Sequence, residues 1–259
     1  MALPPRRAEG ISRYVKFRDD NPVPFFAPMP PDSLGRERNG SGREGMEAER
    51  ASQLYAVLEA GEGALARLGA AVSAGPIASV LIVPAAGSML DAGSARPLIE
   101  MAQKANAAAL LAGDAELART LRADGVHLDA GKNLADGYRR ARGILGNGGI
   151  VGVDAGISRH DAMTSAEAGA DYIAFGAPPH LKDRDKARAR REDLVAWWAE
   201  IFEVPCVALD VDTREEADLL SRVGADFIGI RLSADTTPAA TRDFVAAIAA
   251  ALSASQPVA

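Results

Sequence analysis

The chain has few of the residues from which disulfide and metal scaffolds are built. Its 259 residues include one cysteine, Cys206, and three histidines. A single cysteine excludes an intrachain disulfide and any cysteine-rich metal site. Cys206 lies in the apolar run 205–209, and a free cysteine in such surroundings behaves as a small hydrophobic residue. We therefore expect Cys206 to be a core residue and not a nucleophile.

Aromatic residues, positive charge and long apolar runs are also scarce. Aromatics make up 5% of the residues although 48% are hydrophobic, so the core must be built from Ala, Val, Ile and Leu. The formal net charge of −6 argues against a basic nucleic-acid surface. No apolar run approaches the ~20 residues of a membrane span, and no apolar segment typical of a secretory signal follows the arginines at 6, 7 and 13. We expect a cytoplasmic protein that binds neither nucleic acid nor membrane.

Residues 1–45 differ in composition from the rest of the chain. They hold seven of the fifteen prolines and a glycine-rich charged run at 35–45. This composition predicts an irregular, partly disordered Pro/Gly-rich arm. The apolar patch at 23–29 is a candidate first strand, although Pro24 and Pro28 lack the N–H groups that a strand ladder needs. The alternative is that the arm packs against a second copy of the chain in a homodimer.

Residues 46–259 are predicted to form one domain in which strands and helices alternate. We predict strands at 78–84, 108–112, 126–128, 150–153, 172–175, 206–209 and 227–231. We predict helices at 46–73, 94–105, 114–122, 133–145, 158–168, 192–202, 213–223 and 238–252. The first helix is inferred from the three- and four-residue spacing of its leucines and valine, with a break at Gly61 and Gly63.

Seven strands that each precede a helix, with an eighth near 23–29, predict a parallel sheet whose crossovers are right-handed. Eight such units in about 250 residues are typical of a (β/α)8 TIM barrel, here with the irregular arm as an N-terminal extension. An open doubly wound sheet is the alternative. No Gly-x-Gly-x-x-Gly follows any predicted strand, which counts against a dinucleotide-binding fold.

Carboxylates follow the predicted strands at the end where TIM barrels carry their active sites. They are Asp114, Asp129, Asp154, Asp210 and Asp212. Clustered carboxylates suit Mg²⁺, whose oxygen ligands would include those of a phosphorylated small molecule, or they act as general acid and base. The structural alternative is that some of them cap helices, as Asp114 and Ser158 are placed to do.

Two further features of this end have both a functional and a structural interpretation. His127 alternates with Val126 and Leu128 in a predicted strand, so it faces the barrel interior. It is either a ligand contact or a satisfied core histidine. The run 182–191 holds six basic and two acidic residues before the helix predicted at 192. It is either a solvated loop or a lid that brings basic groups over a phosphate.

The stretches 123–128, 152–153, 169–176, 205–209 and 224–226 resemble, in order and spacing, motifs of the thiamine-phosphate synthase and TenI-like family of (β/α)8 barrels. Three of them repeat small residues and an aspartate before an apolar run, at Asp124, Asp171 and Asp226. The family joins a pyrimidine diphosphate to a thiazole phosphate and releases pyrophosphate with Mg²⁺. The resemblance covers about 79–252 and implies a thiamine-biosynthetic transferase.

The family motifs imply roles for individual positions of this chain. The catalytic candidates are Asp154, His180 and Lys182. The substrate- and phosphate-binding candidates are His127, Asp210, Arg231, Ser233 and Ala234. The metal candidates are Asp114 and Asp129.

Several of these positions depart from the family pattern. Asp154 stands where the family has serine, and Asp210 begins a pair that is Gly-Gly in the family. The Gln-Leu-Arg-x-Lys set of the second strand is absent from 79–86. Two hypotheses follow: a divergent enzyme with an altered active site, or a catalytically silent barrel that binds a ligand or a partner.

Overall fold

The computed structural model describes residues 51–177 and 182–254. Eight strands and eight helices alternate along this part of the chain. The strands are β1 Gln53–Glu59, β2 Ser79–Val83, β3 Ala108–Ala112, β4 Gly125–Leu128, β5 Ile150–Asp154, β6 Tyr172–Phe175, β7 Cys206–Val211 and β8 Phe227–Leu232. The helices are α1 Ala64–Ala74, α2 Ala92–Lys104, α3 Ala115–Leu121, α4 Leu134–Leu145, α5 Arg159–Ala168, α6 Arg184–Ile201, α7 Arg214–Arg222 and α8 Pro238–Ala254.

The strands form a closed parallel barrel in chain order. Closure is direct, because β1 pairs with β8 from Gln53↔Phe227 to Leu58↔Leu232. This confirms the predicted (β/α)8 barrel and excludes the open doubly wound sheet. Within the described residues, no helix combines the length and apolar character needed to cross a lipid bilayer.

The helix predicted at 46–73 is wrong in its first half, where the chain forms β1. Residues 54–58 are all buried, with Tyr55 packed inside the barrel and Leu54 packed toward the helices. A short apolar run buried on both faces cannot be assigned to helix or strand from spacing alone. The glycines expected to kink the helix instead form the turn into α1, where Gly63 has a φ of 71°. The candidate strand at 23–29 and the arm lie outside the described residues.

Two apolar layers make up the core. The inner layer fills the barrel and includes Tyr55, Leu110, Tyr172 and Phe227. The outer layer lies between the strands and the helices and is rich in alanine, valine, isoleucine and leucine. Cys206 belongs to the outer layer, where burial raises the pKa of its thiol to about 12. Its predicted role as a core residue is confirmed.

The aspartate that recurs in the three repeated motifs has one structural task. Each aspartate precedes an even-numbered strand and accepts a backbone N–H from the start of the preceding strand. Asp124 accepts from Ala109 N at 2.7 Å. Asp171 accepts from Val151 N at 2.7 Å, and Asp226 accepts from Cys206 N at 2.8 Å. These carboxylates close the N-terminal end of the barrel, which lies opposite the mouth.

The run predicted as a loop at 182–191 is largely helical. α6 begins at Arg184 with Asp183 as its N-cap, whose side chain accepts from Lys186 N. Charged side chains hid the helical pattern, because only Ala187 and Arg191 of the first two turns are buried. The side chain of Arg184 pairs with Asp212 at 2.5 Å. The carboxylate of Asp212, just before α7, therefore neutralises part of the positive charge that the lid hypothesis assigned to this run.

Candidate active site

The C-terminal mouth of the barrel is lined by ionisable residues at the ends of the strands. Alternation along β5 and β8 places Asp154 and Arg231 on the inner face, because their neighbours Val153, Ile230 and Leu232 pack in the outer layer. Glu59 at the end of β1 accepts a hydrogen bond from Ala86 N at 3.0 Å. These positions form the rim of the mouth with Asp129 and Asp210.

Asp154 is the most strongly perturbed carboxylate of the rim. Burial raises its pKa to about 6 against the opposing effect of a hydrogen bond from Gly156 N, and the negative charges of Asp210 and Asp129 raise it further. The Gly156 N–H donates to Asp154 Oδ1 at 2.7 Å. A carboxylate with a pKa near neutrality, held in place and facing two others, is suited to exchange a proton or to stabilise developing positive charge.

The two predicted metal ligands lie on neighbouring strand ends. Gly113 N donates to the carbonyl oxygen of His127 at 2.8 Å, which holds the β3–α3 turn against β4. Asp114 Oδ1 caps α3 by accepting from Leu117 N at 2.9 Å, so the predicted cap is confirmed. Asp129 lies at the exposed rim, and partial burial of its carboxylate raises its pKa.

These carboxylates fit Mg²⁺ only as part of a shared site. Within residues 51–177 and 182–254, no three acidic, histidine or cysteine side chains gather closely enough to hold a metal. Mg²⁺ is commonly held by one or two carboxylates together with substrate phosphates. Asp129 and the second oxygen of Asp114 suit that arrangement, in which a diphosphate supplies the remaining ligands.

A buried hydrogen-bonded chain lies one layer below the rim. His127 is 1% exposed, and its Nδ1 lies 2.8 Å from the hydroxyl of Tyr172. The same hydroxyl lies 2.8 Å from that of Tyr55. Burial lowers the pKa of His127 to about 4, so the imidazole is neutral at physiological pH. The structure thus shows a buried His127 with its Nδ1 paired, and its role as a ligand contact stays a prediction.

Gly152 makes room for this chain. A Cβ at Gly152 would lie 1.9 Å from Cζ of Tyr172, so the tyrosine ring occupies the space that any other residue would need. The inward alternation of β5 carries Gly152 directly below Asp154. The tyrosine ring therefore forms the floor beneath the carboxylate. Sequence reasoning assigned no role to Tyr55 or Tyr172. For Tyr172 its place in a predicted apolar strand was an available signal, whereas Tyr55 lay in a segment predicted to be helical.

The substrate- and phosphate-binding candidates other than His127 lie at the ends of β7 and β8 or just after them. Arg231 Nη2 lies 3.1 Å from Asp210 Oδ1. Ser233 Oγ accepts from Asp235 N at 3.3 Å, and Ala234 is exposed. Lys182 is exposed just before α6, while His180 lies outside the described residues. The structure thus brings Asp210 and Arg231 into direct contact.

A capping box is present in altered form at the start of α7. Thr213 is the N-cap and accepts from Glu216 N at 3.2 Å. Glu216 Oε2 accepts from Asp212 N at 2.9 Å. Arg191, buried on α6, pairs with the same glutamate. Arg191 was treated as part of a charge run in the sequence, and only its position on the buried side of a helix distinguishes it.

The family model for thiamine monophosphate synthase matches residues 54–233. The match begins in β1 and ends just after β8, so it includes every strand end of the mouth. Thiamine-phosphate synthase from Rhodospirillum centenum is 36% identical over 167 residues, which are 63% of this chain and 78% of the relative. That from Hyphomonas neptunium is 35% identical over 164 residues, 61% of this chain and 73% of the relative.

Thiamine-phosphate synthase from Erythrobacter litoralis is 43% identical over 117 residues, which are 44% of this chain and about half, 53%, of the relative. Among solved structures, thiamine phosphate pyrophosphorylase from Pyrococcus furiosus superposes with a TM-score of 0.62 at 17% identity, over 81% of this chain and 99% of that one. At this identity the superposition supports the fold alone. The family match spans well over half of the sequence, and the chain belongs to the thiamine monophosphate synthase family.

Proposed function

We propose that the protein is a transferase of the thiamine-phosphate synthase type, acting in thiamine biosynthesis. It joins a pyrimidine diphosphate to a thiazole phosphate at the C-terminal mouth of the barrel and releases pyrophosphate. One observation carries the proposal: the family match, residues 54–233, includes all the strand ends that form the mouth. The proposed location is the cytoplasm.

Asp154 is the proposed catalytic residue at the centre of the mouth. When the bond between the pyrimidine and its diphosphate breaks, the electron pair leaves with pyrophosphate and positive charge develops on the organic part. An ionised carboxylate in a partly dehydrated site stabilises such charge more strongly than it would in water. Because the pKa of Asp154 is about 6, the carboxylate is mostly ionised at pH 7 and above.

The leaving diphosphate needs positive charge on the opposite side. Asp114 and Asp129 are the proposed ligands of a Mg²⁺ ion shared with the diphosphate, and the ion would neutralise charge on the leaving group. Lys182, exposed before α6, and His180 are the proposed cationic and hydrogen-bonding catalytic side chains for the leaving group. His127, whose Nδ1 is bonded to Tyr172, supports the floor of the site and stays a candidate substrate contact.

The thiazole phosphate is assigned to the ends of β7 and β8, where TIM barrels often bind phosphate. Arg231 is the proposed charged ligand, because guanidinium groups bind phosphate with several directed N–H groups. Ser233 accepts a backbone hydrogen bond from Asp235, which leaves its own O–H free to donate. Ala234 follows with an exposed position next to it.

A second candidate function is a catalytically silent barrel that binds a ligand or a partner. One observation favours it: carboxylates outnumber arginine on the described rim. Glu59, Asp129, Asp154 and Asp210 lie there with Arg231, which pairs with Asp210. An acidic rim repels a diphosphate unless metal ions accompany it. The silent protein should bind no phosphate-bearing substrate.

Two measurements separate the candidates. Purified protein is incubated with both substrates and Mg²⁺, and thiamine phosphate is quantified by its oxidation to a fluorescent product. Thermal unfolding is followed with each substrate in turn, because a ligand that binds the native state raises the melting temperature by mass action. Product formation with ligand-dependent stabilisation supports the synthase. Absence of both at high protein concentration supports the silent barrel.

A further inference from the structure

The corner between β7 and α7 has an irregular backbone. The regular β7–β8 register, Ala208↔Ile228, is interrupted before Val211↔Ile230, so Leu209 and Asp210 face the single residue Gly229. Asp210 has a φ of 57°, in the left-handed region that aspartate tolerates better than most residues. A bulge of this kind redirects a side chain at the rim of a barrel.

Arg191 holds the bulge from the helix side. Its Nη1 donates to the carbonyl oxygen of Leu209 at 2.5 Å and to that of Asp210 at 3.0 Å. Its second terminal nitrogen, Nη2, pairs with Glu216, which in turn accepts from Asp212 N. Arg191 is 1% exposed. A buried guanidinium thus binds two carbonyls at the bulge and fixes the backbone of Asp210.

The fixed backbone directs the carboxylate of Asp210 toward β8. Its side chain is 11% exposed and lies 3.1 Å from Arg231 Nη2, whose side chain is 47% exposed. Only Nη2 of the guanidinium makes a described hydrogen bond with Asp210. The remaining N–H groups of a half-exposed arginine on the inner face of β8 are available to a ligand in the mouth.

We propose that Asp210 is a positioning residue for Arg231: it holds the guanidinium over the mouth so that Arg231 binds the phosphoryl group of the ligand. The inference rests on the proposed function and adds to it how the phosphate end is recognised. A glycine pair at 210–211 would offer backbone N–H groups to a phosphate. In this chain the Asp210–Arg231 pair would bind the phosphate instead, and the positive charge of Arg231 offsets the negative charge of Asp210.

The test compares two substitutions that remove the same charge. Asp210→Asn keeps an oxygen that accepts from Arg231, and asparagine tolerates the left-handed backbone. Asp210→Gly keeps the backbone but removes the acceptor. Binding of the thiazole phosphate and of inorganic phosphate is measured by isothermal titration calorimetry. We expect D210N to bind at least as tightly as wild type, because repulsion is lost, and D210G to bind about fivefold more weakly than D210N.

A series of double variants tests whether Asp210 affects phosphate binding through Arg231. In an Arg231→Met background, D210N and D210G should bind phosphate equally weakly. Asp136→Asn and Arg139→Met, which alter an exposed pair on α4, are matched controls for charge and should leave binding unchanged. Unfolding curves for every variant show whether any loss of binding follows from a loss of folded protein.

Each outcome has a defined meaning. Equal affinities of D210N and D210G would overturn the positioning role, and so would a difference that persists in the R231M background. Failure of the wild-type protein to bind either phosphate ligand overturns it as well. Phosphate binding with the expected order of affinities but without product formation supports the positioning role and contradicts the proposed transferase activity.

Discussion

The hydroxyl of Tyr172 lies 2.8 Å from Nδ1 of His127, and the two rings stack with centroids 5.8 Å apart. This contact joins β4 to β6 across the inside of the barrel, one layer below Asp154. It links the polar rim to the apolar core, because the same hydroxyl also contacts Tyr55. The rim carboxylates therefore rest on a floor whose polar groups are paired with one another.

Tyr172→Phe should destabilise the protein by about 1–3 kcal/mol, because it leaves His127 and the Tyr55 hydroxyl buried without this partner. Tyr55→Phe is the matched control, since it leaves the Tyr172–His127 bond in place. Urea unfolding measured at pH 7.5 gives both values. A Tyr55→Phe cost equal to or larger than that of Tyr172→Phe would contradict the central place of the Tyr172 hydroxyl.

His127 should make the stability fall as the pH falls. Its pKa is lowered from 6.5 to about 4 in the folded protein, so the unfolded chain binds a proton between these values and the folded protein does not. Stability is complete above pH 6.5 and is lost toward pH 4, by about 2 kcal/mol at pH 5. The difference in unfolding free energy between wild type and His127→Gln should shrink by that amount between pH 7.5 and 5. A constant difference would show that His127 is protonated at pH 5 in the folded state as in the unfolded state.

Asp154 should make the stability rise as the pH falls, in contrast to His127. Its pKa is raised from 3.8 to about 6, so ionisation at neutral pH costs the folded protein up to about 3 kcal/mol, a cost that disappears toward pH 4. Asp154→Asn retains an acceptor for Gly156 N and should be more stable than wild type at pH 7.5. The advantage should nearly vanish at pH 4. An advantage that is independent of pH would mean that burial does not control this carboxylate.

Arg191→Met should destabilise the protein strongly, by about 3–5 kcal/mol, because it leaves Glu216 and two bulge carbonyls without their buried donor. Arg222→Met is the matched control: it removes an arginine that is 69% exposed and pairs with Asp218 on α7. Its effect should stay within about 1 kcal/mol. Guanidinium chloride unfolding measures both. Similar losses for the two variants would argue against a structural role of Arg191 at the bulge.

The sequence predicted the fold more completely than the site. The alternation of strands and helices after residue 78 follows from local sequence patterns and was predicted. The repeated aspartates indicated the starts of three strands, and each aspartate accepts a backbone hydrogen bond from the preceding strand. β1 was assigned as helix because residues 54–58 are buried on both faces. The arm, the strand proposed at 23–29 and the homodimer stay predictions, since residues 1–45 lie outside the described part of the chain.

The site depends on contacts between residues distant in sequence. The pairing of Asp210 with Arg231 depends on the bulge in β7. No local sequence pattern predicts that bulge. The space for Tyr172 is provided by Gly152, twenty residues earlier on the neighbouring strand. Arg191 is surrounded by charged residues in the sequence and is distinguished only by packing against the β7 corner. The sequence shows which charged and aromatic residues are present, but not which of them are in contact in the folded protein.

The proposed activity is tested most directly by a single-turnover assay of thiamine phosphate formation with enzyme in excess over both substrates. It is run with Mg²⁺ and with a chelator, for wild type and Asp154→Asn across pH 5 to 8. We predict Mg²⁺-dependent product with wild-type protein, at a rate that rises as Asp154 ionises near pH 6, and a large loss of rate in the variant. No product from folded wild-type protein that has both substrates and Mg²⁺ would contradict the proposed activity and favour a silent barrel.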